Sequence, residues 1–211
     1  MGYSWKRVRL SLKKFRNQQD FELKQAELNT LIQLHKQGYL DLYFADESHF
    51  GLMPNVPYAW QHKNEPILLP SKKAARLTTF GLMTIDCKAN FHTCLGSLDS
   101  TQLIHYMDHF CQTITKKTIV VLDNAPTHRS KLFKAKIGQW EEQDLYIFFL
   151  PAYSPELNKI EILWRFIKYK WLPFEAFISL ESLYTNLEYV LRNIGEKYDI
   201  NFIEYLINGK G

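Results

Sequence analysis

The sequence predicts an α/β fold: a mixed sheet, an antiparallel meander followed by parallel strands, with flanking helices. Two observations carry this expectation. Three or four strand-type runs follow one another directly between residues 39 and 98, and from residue 100 onward helix-type and strand-type stretches alternate. A third observation concerns what fills the core: 46% of the 211 residues are hydrophobic and 15% are aromatic, so rings dominate the interior.

Taken in order, the chain opens with a basic arm. Residues 1–16 hold Lys6, Arg7, Arg9, Lys13, Lys14 and Arg16 and no acid. That arm is +6 of a total of +4, leaving the body close to neutral. It suits a polyanion partner, through release of condensed counterions; charge alone more often means a solvated linker that keeps the chain soluble. Phe21, Leu23, Ala26, Leu28, Leu31, Ile32 and Leu34 then recur at helical spacing, and Gly38 supplies a stop. Residues 39–45 read as a strand ending at Asp46, and Pro54, Asn55 and Pro57 mark a loop over 51–58. Short strand character at 67–69 and longer runs at 77–85 and 91–98, with a turn at 88–90, complete the meander. Residues 100–115 read as helix, 118–122 as an apolar strand ending at Asp123, 129–143 as helix, 145–150 as a buried strand, 155–171 as helix and 179–192 as a last helix before a frayed tail at 209–211. A meander followed by β-α-β-α is the order of a ribonuclease H-like sheet.

Several classes are excluded by composition. Charged residues at 23% and abundant rings exclude intrinsic disorder, and no apolar run reaches the roughly 18 residues of a membrane span. The start Met-Gly-Tyr-Ser-Trp-Lys-Arg has no apolar h-region. Cys87, Cys94 and Cys111 form no CxxC pair, which predicts a reduced, intracellular protein. His35, His49, His62, His92, His105 and His109 show no pairing that suggests zinc.

The acids are more informative. Asp46 and Asp123 close apolar strands, and the carboxyl ends of strands in an open α/β sheet are where ligands gather. Either alone reads as a turn cap; neighbouring strand ends would bring two anions together, which is costly unless a cation sits between them. Leu150-Pro-Ala-Tyr-Ser-Pro-Glu-Leu-Asn-Lys-Ile-Glu161 then runs from a strand end into a helix with Ser154 as expected N-cap and Pro155 at its first position. Counting from there, Leu157, Ile160, Glu161, Trp164, Lys168 and Trp171 share one side, placing Glu161 on an inward-facing stripe. Glu142 and Glu156 read as surface acids. Three oxygen donors without His or Cys partners favour Mg²⁺ or Mn²⁺, and two such ions about 3.5–4 Å apart activate a nucleophile and stabilise the leaving oxygen of a phosphodiester.

Three blocks, Asp46-Glu-Ser-His-Phe50 with Trp60 downstream, Val121-Leu-Asp-Asn-Ala-Pro-Thr-His-Arg-Ser130, and Leu150 through Trp164, resemble the catalytic core of a DDE transposase of the mariner-like superfamily, in its bacterial insertion-sequence branch. The resemblance covers about residues 2–202. It implies a ribonuclease H-like fold, metal-dependent cutting and joining of double-stranded DNA at transposon ends and target, and Asp46, Asp123 and Glu161 as catalytic metal ligands of two Mg²⁺ or Mn²⁺ ions. It implies a cytoplasmic protein, nucleoid-associated when bound to DNA. Residues 1–38 would be a basic arm and amphipathic linker helix, 39–175 the catalytic domain, and 176–211 its C-terminal helical extension. The chain departs from the family in three respects. Asp123 and Glu161 stand 38 positions apart, slightly wide for the family. Ala152 and Lys159 replace prolines usual in the motif. The helix-turn-helix domain that precedes the core in relatives is expected from an upstream domain or partner chain, which makes this the catalytic half of a longer or split transposase.

Supporting residues follow. Asn124 would orient a water or phosphate or else stabilise a turn, and Asn158, one turn before Glu161, would bond near the metals or satisfy local backbone. His128 and Arg129 are candidates for DNA phosphate contact at the mouth, although a lone His more often packs or caps. Lys72, Lys73 and Arg76 form a basic loop that reads as a DNA clamp or as plain surface. Trp60, Trp140, Trp164 and Trp171 read as core. A homodimer through the helix at 21–34 is left open. Two rivals to the enzyme stand: a non-catalytic DNA-binding or assembly remnant resting on the basic arm, and a nuclease acting on RNA or a hybrid.

Overall fold

The computed structural model describes residues 13–55, 62–66, 68 and 76–202. Asn17 opens α1 (Gln18–Lys36), its side chain accepting from the backbone N–H groups of Gln19 and Asp20. Phe21, Leu28 and His35 are its buried positions, and Gly38 (φ +81) turns the chain into the sheet. The strands are β1 (Asp41–Phe50), β2 (Leu77–Met83), β3 (Ala89–Leu95), β4 (Thr118–Leu122) and β5 (Leu145–Phe149). Between and after them lie α2 (Ser100–Cys111), α3 (Lys131–Glu141), α4 (Ile160–Phe166) and α5 (Leu180–Arg192). Asp99 and Gln102 form a reciprocal capping box at the start of α2, and Ser179 caps α5.

The sheet order is β3-β2-β1-β4-β5, with β1, β2 and β3 antiparallel and β1, β4 and β5 parallel. This is the ribonuclease H-like arrangement. Alternation along the strands sends residues to two cores. Leu42, Phe44 and Val121 pack with Leu28, Ile160, Leu163 and Leu187 on one face. Ala45, Leu82, Val120 and Leu122 pack with Leu103, Met107, Phe133 and Trp140 on the other. Both faces are thus covered, as parallel strands require.

The structure corrects several expected boundaries. β1 does not stop at Ala45 but continues to Phe50, because β2 keeps pairing with it after β4 has ended. The turn between β2 and β3 falls at 84–88, where Thr84 N–H donates to Lys88 O and Cys87 adopts φ +61. α2 ends at Cys111 rather than Thr115. The expected helix over 155–171 is three pieces: a 3₁₀ turn at Pro155–Leu157, then α4, then a π turn at Ile167–Trp171. Asn158, extended at φ −84 and ψ 105, breaks the first from the second, and the Ser154 hydroxyl donates to Ala152 O instead of capping. Leu68 is not in a strand; the other residues of 67–69, together with Trp60, Lys72, Lys73 and the tail at 209–211, lie outside the described residues. The three cysteines are free thiols, and among the described residues no helix is long and apolar enough to cross a membrane.

Candidate active site

The last rung between the parallel strands β1 and β4 pairs Phe44 with Val121. Asp46 and Asp123 each stand two residues beyond that rung, side by side where the two strands part. Asp46 remains fixed in the sheet by β2, opposite Gly81. Asp123 leads into a turn, and Asn124 Nδ2 there donates to Leu150 O, tying the end of β4 to the end of β5. From Leu150 the chain loops to Asn158, whose Nδ2 donates to Ala45 O at 2.9 Å and pins the loop back to β1. Glu161 follows in the first turn of α4. Asp46, Asp123 and Glu161 consequently line one crevice of about 350 Å³, together with Asn124, Arg129, Tyr153 and Asn158.

Glu161 is exposed at this crevice and not part of the buried stripe, which runs through Leu157, Ile160, Leu163, Trp164 and Ile167. Within α4 the buried positions Ile160, Leu163, Trp164 and Ile167 centre about 100° round the helix from Glu161, which therefore stands at the edge of the stripe, over the crevice. Trp164 is buried as expected, and its indole Nε1 donates to Asp46 Oδ2 at 3.2 Å. The close approach depends on Gly81: a Cβ there would lie 2.8 Å from Trp164 Cη2 and 2.9 Å from Phe91 Cδ1.

Burial, then the charges of Glu161 and Asp123, push the Asp46 carboxyl up to about 8. Glu161 is also raised, by desolvation against the crevice wall and by Asp123, against the pull of Lys168 and Arg165. Asp123 goes the other way: burial would raise it, but hydrogen bonds from His128 and the Ala125 N–H outweigh that and hold it below the usual range. Lys168, half-buried against the Phe50 ring, is lowered by desolvation while Glu161 and Asp46 support its charge.

His128 is packed inside the fold, the alternative to phosphate contact that the sequence offers for it. It is 1% exposed, so it does not stand at a DNA-facing mouth. Its Nδ1 lies 2.8 Å from Asp123 Oδ1, and its ring packs against Phe80 and Phe133. Its Nε2 and Glu47 Oε1 are both buried, lack hydrogen-bond partners and face one another at 4.0 Å. Glu47, next to Asp46 but on the opposite face of β1, was not singled out by sequence. Only its position beside an acid in a strand with period-2 alternation hinted at a second, oppositely directed carboxylate.

The remaining basic candidates divide. Arg129 is exposed and lines the crevice. Lys14 is exposed, and Arg16 is committed to Glu156 Oε1 at 2.7 Å and to the Phe21 ring at 3.7 Å. Arg76 is exposed at the start of β2 and does not line the crevice. Lys6, Arg7 and Arg9, like Lys72 and Lys73, lie outside the described residues, as does the side chain of Lys13.

Among the described residues no three His, Cys, Asp or Glu side chains are gathered closely enough to form a metal cage as they stand; the acids share a crevice, not a point. The fit to a divalent cation is nevertheless good in its chemistry. The donors are all oxygens, their mutual repulsion is what a hard cation relieves, and the crevice-lining Asn158 has an unsatisfied, buried Oδ1 beside them.

Comparison with known proteins places these features in a family. The sequence profile of the DDE superfamily endonucleases matches residues 41–184, which takes in all three acids. No curated protein sequence matches the chain. Among solved structures, the Mos1 transposase paired-end complex with left transposon end superposes with a TM-score of 0.64 at 15% identity, covering 94% of this chain and 62% of that one. The Mos1 strand transfer complex gives 0.53 at 13% identity, covering 100% and 60%. The Mos1 mariner paired end complex with Mn gives 0.53 at 14%, covering 99% and 58%. At these identities the likeness establishes the shared fold. The chain spans about three fifths of the length of these solved chains.

Proposed function

Because the chain belongs to the DDE superfamily endonucleases, we propose that it is the catalytic part of a transposase, which hydrolyses a phosphodiester at a transposon end and then joins the freed 3′-hydroxyl to target DNA. One observation carries this reading: carboxylates from three separate segments, Asp46, Asp123 and Glu161, border one crevice and perturb one another's ionisation.

These three acids would hold two Mg²⁺ or Mn²⁺ ions, with Asn158 Oδ1 as a neighbouring acceptor. The ions, when bound, supply Lewis-acid activation of the attacking oxygen and stabilisation of the departing one. The chain's own part is positioning. His128 and the Ala125 N–H keep Asp123 ionised and point one of its oxygens away from the crevice, leaving the other for a ligand. Trp164 orients Asp46, whose carboxylate would be held ionised by a bound cation, and Asn158 locks the loop to the strand that carries Asp46. Arg129, exposed at the rim, suits a DNA phosphate, and the +6 charge of residues 1–16 suits the same polyanion. Recognition of the transposon ends is assigned to a helix-turn-helix domain or partner chain, and pairing of two ends to a dimer.

The deciding experiment is nicking of supercoiled DNA with Mg²⁺ or Mn²⁺. Asp123→Ala is expected to lower the rate by at least about a hundredfold, as removal of a group central to transition-state stabilisation does. Undiminished nicking by a clean preparation of that variant would overturn the assignment.

A further inference from the structure

The loop that closes the crevice carries a feature the acid chemistry leaves unused. Tyr153 holds φ at +58, a left-handed conformation disfavoured for any residue with a Cβ. Strain of this kind persists where the surroundings impose it. Here the ring is not repaid by burial, for Tyr153 is 47% exposed. Phe15 beside it is 61% exposed, with ring centroids 6.2 Å apart and planes inclined at 51°.

Phe15 is held in place from behind. Its neighbour Arg16 bonds Glu156, three residues after Tyr153, and lies over Phe21 of α1. The surrounding charge is basic: Lys14 Nζ stands 4.9 Å from the Phe15 ring centroid, and Arg129 is exposed on the crevice lining that Tyr153 shares. Two large rings thus face solvent between cations at the rim of a phosphodiester-sized acidic crevice.

We propose that Phe15 and Tyr153 form a stacking subsite for an unpaired base of the DNA strand whose phosphate lies in the crevice. This rests on the reading of the crevice as a phosphodiester site. A base within a duplex has both faces covered by its neighbours, so only an unpaired or splayed base can offer a face to these rings. Lys14 and Arg129 supply the cations that its flanking phosphates require. The arrangement selects strand ends and melted positions over intact duplex without reading sequence, because every base has a π-face.

The test uses the full chain without divalent cation and two oligonucleotides: a blunt duplex, and the same duplex extended by one unpaired 2-aminopurine. Binding is followed by anisotropy and stacking by 2-aminopurine quenching. The wild-type chain should prefer the extended DNA by about tenfold, with quenching. Tyr153→Gly removes the ring while accommodating φ +58, so it should melt no lower than wild type and lose both preference and quenching. Phe15→Leu should weaken both, and Tyr153→Phe should keep them. If the blunt duplex binds but no preference exists, or if the preference survives in both Tyr153→Gly and Phe15→Leu, the subsite is overturned while the phosphodiester reading stands. Absence of binding to either DNA overturns the subsite, while the phosphodiester reading stands or falls on the nicking assay. Loss of self-association in Tyr153→Gly with an unchanged preference would make the rings a protein contact and overturn the subsite.

Discussion

His128 Nδ1 donates to Asp123 Oδ1 at 2.8 Å from a position that is 1% exposed, so the acid at the end of β4 is anchored by a buried imidazole. A group that fixes a metal-ligating carboxylate from behind sets both its orientation and its ionisation. His128→Leu removes the anchor while filling the space between Phe80 and Phe133. Mn²⁺ affinity measured by titration should fall by about 10- to 100-fold. His128→Asn, which retains an N–H donor, should recover part of that loss, a recovery that packing alone would not produce.

The metal-free protein should lose stability as pH rises from about 4 to about 8. Asp46 is held near 8 in the fold, well above its ordinary value, and Glu161 is raised in the same direction. The folded state binds more protons than the unfolded state through that interval. The contribution is therefore fully present below the unfolded carboxylate range and is lost as pH rises through about 8. Melting in a chelator across pH 5–8 should show this fall. Asp46→Asn should flatten it and raise stability at pH 8 by about 1–3 kcal/mol. Added Mn²⁺ should restore more stability at pH 8 than at pH 5, since it binds the ionised acids.

Gly81→Ala tests the support behind Asp46. The new methyl would meet Trp164 at 2.8 Å and Phe91 at 2.9 Å, neither able to retreat freely from the packed face. Overpacking of this kind costs about 1–3 kcal/mol. Displacement of Trp164 also removes the indole donor to Asp46, so Mn²⁺ affinity should fall along with the melting temperature. A variant that melts lower but binds Mn²⁺ unchanged would show that the indole does not orient the acid.

Asp108 provides a control remote from the crevice. It accepts from Trp140 Nε1 at 2.8 Å and from Lys136 Nζ at 2.9 Å, joining α2 to α3. Asp108→Ala leaves the buried indole N–H of Trp140 without its acceptor. Unfolding free energy should drop by about 1–3 kcal/mol, with Mn²⁺ affinity unchanged.

Much of this architecture is written in local pattern. The apolar spacing from Phe21 to Leu34 identifies α1 within about three residues, since it buries one clear face. The continuous apolar runs at 118–122 and 145–150 identify β4 and β5 within a residue, since the sheet there is covered on both faces. The sequence also nominates the acids that border the crevice. What it hides is long-range. Past Ala45 the run Asp46-Glu-Ser-His alternates polar residues, so nothing local reveals that β2 keeps β1 extended to Phe50. Ser154-Pro155 has the chemistry of a helix start, but Asn158, bonded to Ala45 113 residues away, is extended and interrupts the helix before α4. His128 sits in a polar loop sequence that gives no sign of the aromatic walls enclosing it.

The seven residues of α4 lie between two irregular joints, the break at Asn158 and the wide π turn at Ile167–Trp171. Ile160, Leu163 and Trp164 seat this short helix in the core, so packing and not the irregular joints fixes its position, while Glu161 projects from its exposed side. A cation drawing the three acids together would therefore recruit Glu161 by rotation of its exposed side chain, with the helix backbone and the two aspartates at the strand ends staying nearly where they are.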